Sequence, residues 1–312
     1  MRVWRGLQDV GADEVAGRTV VTIGNFDGVH RGHQQVIAHI VTRAREIGAE
    51  AVVTTFDPHP MSVIHPDSVP LRLTSLSRRI ELLEGLGVGT VLVLPFTREI
   101  SLWEPDEFVR AVLVDGLNAA EVHVGESFRF GHRAAGTVDT LREAGARHGF
   151  VVAAVPLAGD TARWSSTYVR QCLAEGDTIA AAAALGRPHR VEGPVVEGDK
   201  RGRELGYPTA NLSLDDTVAI PVDGVYAGWL VRADGDTLPA AISIGTNPTF
   251  GGTTRRVEAH ALDRDDLELY GEHVGVEFAD RLRDTLTFDG VEPLVEQMAR
   301  DVDQARALTA TA

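Results

Sequence analysis

Two hydrophobic patterns divide the chain. In its first part, short continuous apolar runs alternate with stretches whose apolar positions recur at helical spacing. Residues 20–23, 51–56, 90–94, 121–124 and 151–155 predict buried strands. Residues 33–47, 77–86, 105–113 and 138–148 predict the helices between them, with Pro105 in a first turn. Strands apolar on both faces, alternating with helices, imply a parallel sheet covered on both sides. Ligands of such sheets bind beyond the carboxyl ends of the strands.

After the turn signal Gly186-Arg187-Pro188 the period changes. Residues 190–197, 225–232, 240–244, 255–262 and 273–278 predict short strands separated by Gly, Pro and Asp, and residues 291–308 a closing helix. This is the pattern of a small antiparallel barrel. The expected fold class is α/β plus β: a Rossmann-like parallel-sheet domain over residues 1–186, then an antiparallel β-barrel with a terminal helix over residues 187–312.

A length of 312 residues accommodates two such domains, and 44% hydrophobic with 24% charged residues is a globular composition. The formal net charge of −15 argues against nucleic-acid binding and against docking on an anionic membrane. An anionic small-molecule substrate therefore needs a local positive site. Cys172 is the single cysteine, so no intrachain disulfide forms. No signal-peptide apolar core follows Met1-Arg2-Val3-Trp4, and a cytoplasmic location is expected.

The most informative stretch joins the first long strand to its helix: Ile23-Gly24-Asn25-Phe26-Asp27-Gly28-Val29-His30-Arg31-Gly32-His33. Unpaired N–H groups and the helix dipole make a helix start a phosphate site. His30 and His33, three residues apart, share a face and can donate to oxygens that gain charge during transfer. Histidines that merely begin a surface helix are the plain alternative. The strand, the Asn-Phe-Asp-Gly turn and the His-x-Gly-His spacing together resemble the nucleotidyltransferase superfamily, which transfers a nucleoside monophosphate and releases pyrophosphate.

Two later stretches could share that crevice. One is Gly125-Glu126-Ser127-Phe128-Arg129-Phe130-Gly131. The other is Trp164-Ser165-Ser166-Thr167-Tyr168-Val169-Arg170, whose serines read as helix caps or as a second phosphate site, with Arg170 able to add a bidentate contact. In the second domain Gly198-Asp199-Lys200-Arg201-Gly202-Arg203-Glu204-Leu205-Gly206 forms a basic glycine loop in an acidic chain. It is a solvated hairpin loop or a phosphate cradle, and it is no Walker A loop. Thr209 and Asn211, alternating on one strand face, offer neutral oxygens to a hard cation such as Mg²⁺.

The basic loop with Gly-Tyr-Pro-Thr-Ala-Asn, then Asp-Gly-Val-Tyr-Ala, Gly-Thr-Asn-Pro-Thr-Phe and Val-Glu-Ala-His, resembles riboflavin kinase. Together with the earlier motif, over about residues 18–300, the chain resembles the bacterial bifunctional riboflavin kinase/FMN adenylyltransferases. The resemblance implies riboflavin, FMN and ATP as substrates and Mg²⁺ with the ATP, with no nucleic-acid or membrane partner; self-association is compatible with it. It implies that His30 and His33 contact ATP phosphates, that Gly24, Asn25, Phe26 and Asp27 line the nucleotide crevice, and that Ser165, Ser166, Thr167 and Arg170 serve the same phosphates. It also implies nucleotide contacts from Gly198, Lys200, Gly202, Arg203 and Gly206, a metal held by Thr209 and Asn211, and Glu258 as the base for the riboflavin 5′-hydroxyl. Where the family has Asn or Asp before Phe-Arg-Phe-Gly, this chain has Ser127, and Trp164 replaces an aliphatic residue. Two other readings remain: one active module with the other as scaffold, or a flavin-binding regulator without turnover. The presence of both histidines, Thr209, Asn211 and Glu258 argues against the regulator, because binding alone needs no base.

Overall fold

The computed structural model describes residues 1–11, 18–156, 164–198, 201–246 and 255–310, and of Arg201 and Arg203 the backbone alone. Its strands are β1 (Arg2–Trp4), β2 (Thr19–Ile23), β3 (Glu50–Asp57), β4 (Thr90–Pro95), β5 (Ala119–Gly125), β6 (Val151–Val155), β7 (His189–Val196), β8 (Ala210–Leu212), β9 (Gly224–Val231), β10 (Thr237–Thr246), β11 (Arg255–Ala261) and β12 (His273–Arg283). Its α-helices are α1 (Arg31–Ile47), α2 (Pro60–Ile64), α3 (Leu76–Gly85), α4 (Pro105–Phe108), α5 (Val138–His148), α6 (Ser166–Glu175), α7 (Thr178–Leu185), α8 (Arg201–Glu204) and α9 (Val291–Thr309). Contacts divide the chain into two compact units: Met1–Pro70 with Leu76–Ala162, and Leu71–Ser75 with Arg163–Ala312.

The first unit is a six-stranded sheet in the order β1-β4-β3-β2-β5-β6, every pair parallel. Every residue of β2 is buried, as expected of a central strand covered on both faces. The chain steps outward from β2 to β3 and β4, then returns to place β5 on the other flank of β2. The reversal puts a crevice at the carboxyl ends of β2 and β5. Helix α1 follows β2 and buries Val36, Ile37, Ile40, Val41 and Ala44, one face at helical spacing. It ends at Gly48 in the left-handed conformation. The predicted helix over 105–113 is α4 followed by a π-helix, Val109–Gly116. Periodicity does not distinguish the two, because Phe108, Val109, Val112 and Leu113 bury one face in either.

One polar cluster is built into this core. Arg43 of α1 grips the buried Glu121 of β5 with three N–H···O bonds of 2.7–3.0 Å, and His123 adds a contact of 2.9 Å. The Arg43 hydrogen bonds hold the Glu121 carboxyl down at about 2, from an ordinary 4.5. A depressed carboxylate stabilises the fold fully above its unfolded pKa, and that stability is lost as pH falls through the folded value. Glu121→Gln is therefore expected to cost on the order of 2 kcal/mol at pH 7, allowing for screening at the partly exposed Arg43. The deficit should shrink as the pH falls from about 4.5 toward 2. Denaturant unfolding of both proteins across that range measures it, and a deficit independent of pH would assign the cost to packing.

The second unit is a closed barrel in the order β10-β11-β8-β7-β12-β9, all neighbours antiparallel. Buried and exposed residues alternate along β7 and β10, so one face of each fills the interior. Tyr226 and Phe278 are fully buried there, and the Tyr226 hydroxyl donates to Val222 O at 2.6 Å. Helix α9 closes the unit. Arg283 of β12 binds Asp301 of α9 through Nε (2.9 Å) and Nη2 (2.6 Å), and Ala305 is buried on the inner face of the helix. Helices α6 and α7 also pack in this unit, through Val169, Leu173, Ala181 and Leu185 with Leu73 and Ala219. Contacts thus place residues 164–186 with the barrel, while the change of hydrophobic period falls at Gly186.

Candidate active sites

In the first unit the turn after β2 is tied to β3. Gly24 N–H donates to Thr54 O at 3.1 Å, and Thr55 Oγ1 donates to Asn25 O at 3.1 Å. The turn is tight enough to force positive φ at Phe26 (51°), Gly28 (81°) and Val29 (41°). Gly28 adopts this readily, but the β-branched Val29 does so against its sterics. Two bonds compensate: Val29 N–H to Phe26 O, and Gln34 Nε2 to Val29 O at 2.8 Å. Such strain concentrates at functional sites.

The strained turn sets both histidines. His30 caps α1, its Nδ1 accepting from His33 N–H at 3.4 Å, so its neutral ring carries the proton on Nε2. The two imidazoles stack with centroids 3.6 Å apart, and Phe26 meets His33 edge-on at 5.0 Å. Burial, then His30, then Arg79 pushes His33 well below its ordinary value. His33 is neutral at pH 7. Among the described residues its buried Nδ1 has no partner, which costs least as a bare lone pair, and that leaves Nε2–H as donor.

Gly24 and Asn25 also line a cavity of ≈ 870 Å³ with aromatic walls, among them Phe56, Phe96, Phe128 and Phe130. Phe128 and Phe130 stack at 5.5 Å, and Phe56 meets Phe96 edge-on at 5.5 Å. Arg98, Arg129 and Arg133 stand on its rim, a local positive region in an acidic chain. Asp27 is buried and Ser127 exposed. The amide of Asn25 lies 3.1 Å from Nε2 of His59, which caps α2. Arg79, buried on α3, belongs to no local motif.

Ser165, Ser166, Thr167 and Arg170 fall in the second unit. Ser165 caps α6, its hydroxyl accepting from Tyr168 N–H at 3.1 Å, and Arg170 Nε donates to Leu71 O. Cap and anchor are thus built, and a phosphate role for this segment rests on the motif.

In the barrel, strand register assembles the remaining candidates. Glu258 on β11 lies opposite Asn211 on β8 and Ser243 on β10, so the three form a row across neighbouring strands. Asn211 is buried, its Nδ2 3.4 Å from Thr209 Oγ1. Among the described residues its buried Oδ1 has no partner. An orphaned amide oxygen beside a hydroxyl and across from a carboxylate is an oxygen set that fits Mg²⁺. A Cβ on Gly198 would come within 2.5 Å of the Asn211 amide, so a larger residue there would displace that amide. His260 donates from Nδ1 to Pro208 O at 2.8 Å and meets Tyr207 edge-on, which fixes the Pro-Thr-Ala-Asn segment against β11. Lys200 lies outside the described residues, as does the Arg203 side chain. Gly202 and Gly206 bracket the end of the loop, with Tyr207 N–H donating to Gly202 O.

Two cavities flank this row. One of ≈ 260 Å³ is lined by Thr209, Glu258, Ser243, Arg283, Met298 and Asp301. The other, ≈ 960 Å³, is lined by Gly206, Thr209, Ala210, Arg264 and Tyr270 among others. Thr209 is common to both. Ser243 and the α9 residues lie outside the quoted motifs, and strand pairing and helix packing bring them to the site; His260 closes the Val-Glu-Ala-His motif, but its bond to Pro208 O is visible only in the structure.

Known proteins resemble both parts of the chain. Residues 12–168 match the FAD synthetase family model and residues 185–309 the riboflavin kinase model. The bifunctional riboflavin kinase/FMN adenylyltransferase of Pseudomonas fluorescens is 40% identical, over 99% of this chain and 98% of its own. That of Escherichia coli K12 is 36% identical, over 98% and 97%. A solved Streptococcus pneumoniae structure named as a macrolide-efflux protein has a TM-score of 0.86 and 33% identity, covering 97% of this chain and 98% of that one. Among the described residues no helix is long and apolar enough to cross a membrane. The chain belongs to the bifunctional riboflavin kinase/FMN adenylyltransferase family: it phosphorylates riboflavin to FMN and adenylylates FMN to FAD.

Proposed function

We propose that the chemistry divides along the chain, with FMN adenylyltransferase in residues 1–186 and riboflavin kinase in residues 187–312. In the kinase, riboflavin occupies the ≈ 260 Å³ cavity and ATP the ≈ 960 Å³ cavity. The observation that supports this is Thr209, which lines both cavities while Glu258 lines the first. Glu258 takes the proton of the 5′-hydroxyl as that oxygen attacks the terminal phosphorus of ATP, and ADP leaves. Thr209 and Asn211 hold Mg²⁺, which when bound neutralises charge on the phosphate oxygens. The backbone of Gly198, Gly202 and Gly206, with Lys200 and Arg203, serves the nucleotide.

In the adenylyltransferase, the FMN ring takes the aromatic cavity of ≈ 870 Å³ beside Gly24 and Asn25. Its phosphate oxygen attacks the α-phosphorus of ATP, and pyrophosphate leaves. His30 and His33 donate from Nε2 to oxygens that gain charge in that step. Phe26 and Asp27 shape the turn that holds them. Ser165, Ser166, Thr167 and Arg170 are assigned to the ATP phosphates on motif resemblance, and Ser127 to a water-bridged nucleotide contact. We place the enzyme in the cytoplasm, where ATP is available.

Purified protein incubated with riboflavin, ATP and Mg²⁺, with flavins separated over time, tests the assignment. Asn211→Ala should raise the Mg²⁺ concentration for half-maximal kinase activity by about tenfold, the worth of one ligand oxygen at ~1.4 kcal/mol. FAD formation from supplied FMN should not change. An unaltered Mg²⁺ dependence in folded protein would remove Asn211 from the metal.

A further inference from the structure

Arg79 of α3 is only 5% exposed. A buried guanidinium is costly to keep and is retained where its bonds are specific. Its Nη1 donates to Thr55 Oγ1 and to Phe56 O, each at 3.2 Å, at the carboxyl end of β3. Thr55 Oγ1 passes its own proton to Asn25 O at 3.1 Å. A continuous relay therefore runs from Arg79 through Thr55 to the turn that carries His30 and His33. We propose that Arg79 is a positioning residue of adenylyl transfer: through Thr55 it fixes the nucleotide turn, and it sets a permanent positive charge behind the paired histidines. This deepens the assignment of His30 and His33 and rests on it.

Two consequences follow from the geometry. First, the Asn25 carbonyl stays engaged by Thr55, so the strained turn keeps its shape before substrate arrives. Preorganisation of this kind lowers the cost of reaching the transition state. Second, the fixed charge opposes protonation of His33. The groups that act on His33 are His30 from its own turn and Arg79 from α3. Asp27 is buried in the same turn, and His59 meets Asn25 from the loop after β3. A neutral His33 keeps one defined donor, and Arg79, which cannot lose its proton, adds a fixed buried charge to that of Arg98, Arg129 and Arg133 on the cavity rim.

A purely structural staple between α3 and β3 would support stability alone. The experiment separates the two with full-length Arg79→Met, Arg79→Lys and Thr55→Val. FMN-to-FAD kinetics are measured from pH 5 to 9 together with thermal unfolding. Arg79→Met should lower kcat about 100-fold and move the acid limb of the kcat profile to higher pH, because His33 is freer to protonate. Arg79→Lys keeps the charge on a shorter side chain that does not bring a donor to the Nη1 position between Thr55 Oγ1 and Phe56 O, so kcat should fall about tenfold with the acid limb unmoved. Thr55→Val cuts the relay and should behave like Arg79→Lys. Folded Arg79→Met with parental kcat and an unmoved acid limb would overturn the proposal. If Arg79→Met does not fold, parental kcat in both Arg79→Lys and Thr55→Val overturns it. Failure of the underlying histidine assignment is distinguishable, because His33→Ala would then also retain FAD synthesis.

Discussion

Glu258→Ala should lower riboflavin phosphorylation by about 10²- to 10⁴-fold, the usual worth of a positioned general base, while FAD formation from supplied FMN continues at the parental rate. The carboxylate lies on a barrel strand, half-buried, opposite Asn211 and Ser243, and it lines the smaller cavity. Truncating it removes the proton acceptor without opening the barrel interior, which is filled from the other face of β11 by Val257 and Ala259. The fold should therefore survive, and kcat should fall more than the KM for riboflavin rises. Glu258→Gln keeps the shape and loses the basicity, so it should resemble the alanine variant. Steady-state kinetics of both half-reactions, with products separated as riboflavin, FMN and FAD, make the measurement. Kinase activity within tenfold of the parent in both variants would mean that another group takes the proton. Loss of both activities in folded protein would contradict the division into two sites.

The parallel sheet was legible because its strands are continuous apolar runs bounded by glycine turns, and β2 is indeed buried throughout. The barrel was legible from alternation, as in β7 and β10. Strand β1 was not, because Arg2–Trp4 is three residues long and buries only Trp4. The π-helix at Val109–Gly116 was hidden because it shares a buried face with an α-helix. The same logic sorts the site residues. His30, His33, Thr209 and Asn211 announce themselves by local spacing. Arg79 does not: within residues 77–86 it reads as one of two adjacent surface arginines, and only the packing of α3 on β3 shows that Arg79 is buried while Arg78 pairs with Glu81. Ser243 and His260 depend on register and on a carbonyl of another segment, neither of which a local motif carries.

His33→Ala should halt the pathway at FMN. With riboflavin and ATP supplied, the variant is expected to accumulate FMN at the parental rate and to form FAD about 10²- to 10³-fold more slowly, the loss seen when one preorganised donor to a developing charge is removed. The ring is enclosed between Phe26 and His30, so truncation also leaves a gap under the turn. Two effects must therefore be told apart. His33→Gln restores a donor that reaches the Nε2 position with no titratable nitrogen, and it should recover part of the lost rate. His30→Ala removes the cap of α1 as well as a donor, and should lower thermal stability more than His33→Ala does, by about 1 kcal/mol for the lost cap. The pH profile gives a third check. Burial, His30 and Arg79 keep His33 neutral well below its ordinary range. Parental FAD synthesis should therefore hold its rate down to mildly acidic pH, and protonation of His33 should not limit it near neutrality. An acid limb near pH 6.5 in the parent that vanished in His33→Gln would show that the ring titrates in the working range, and that it acts as an acid rather than as a neutral donor.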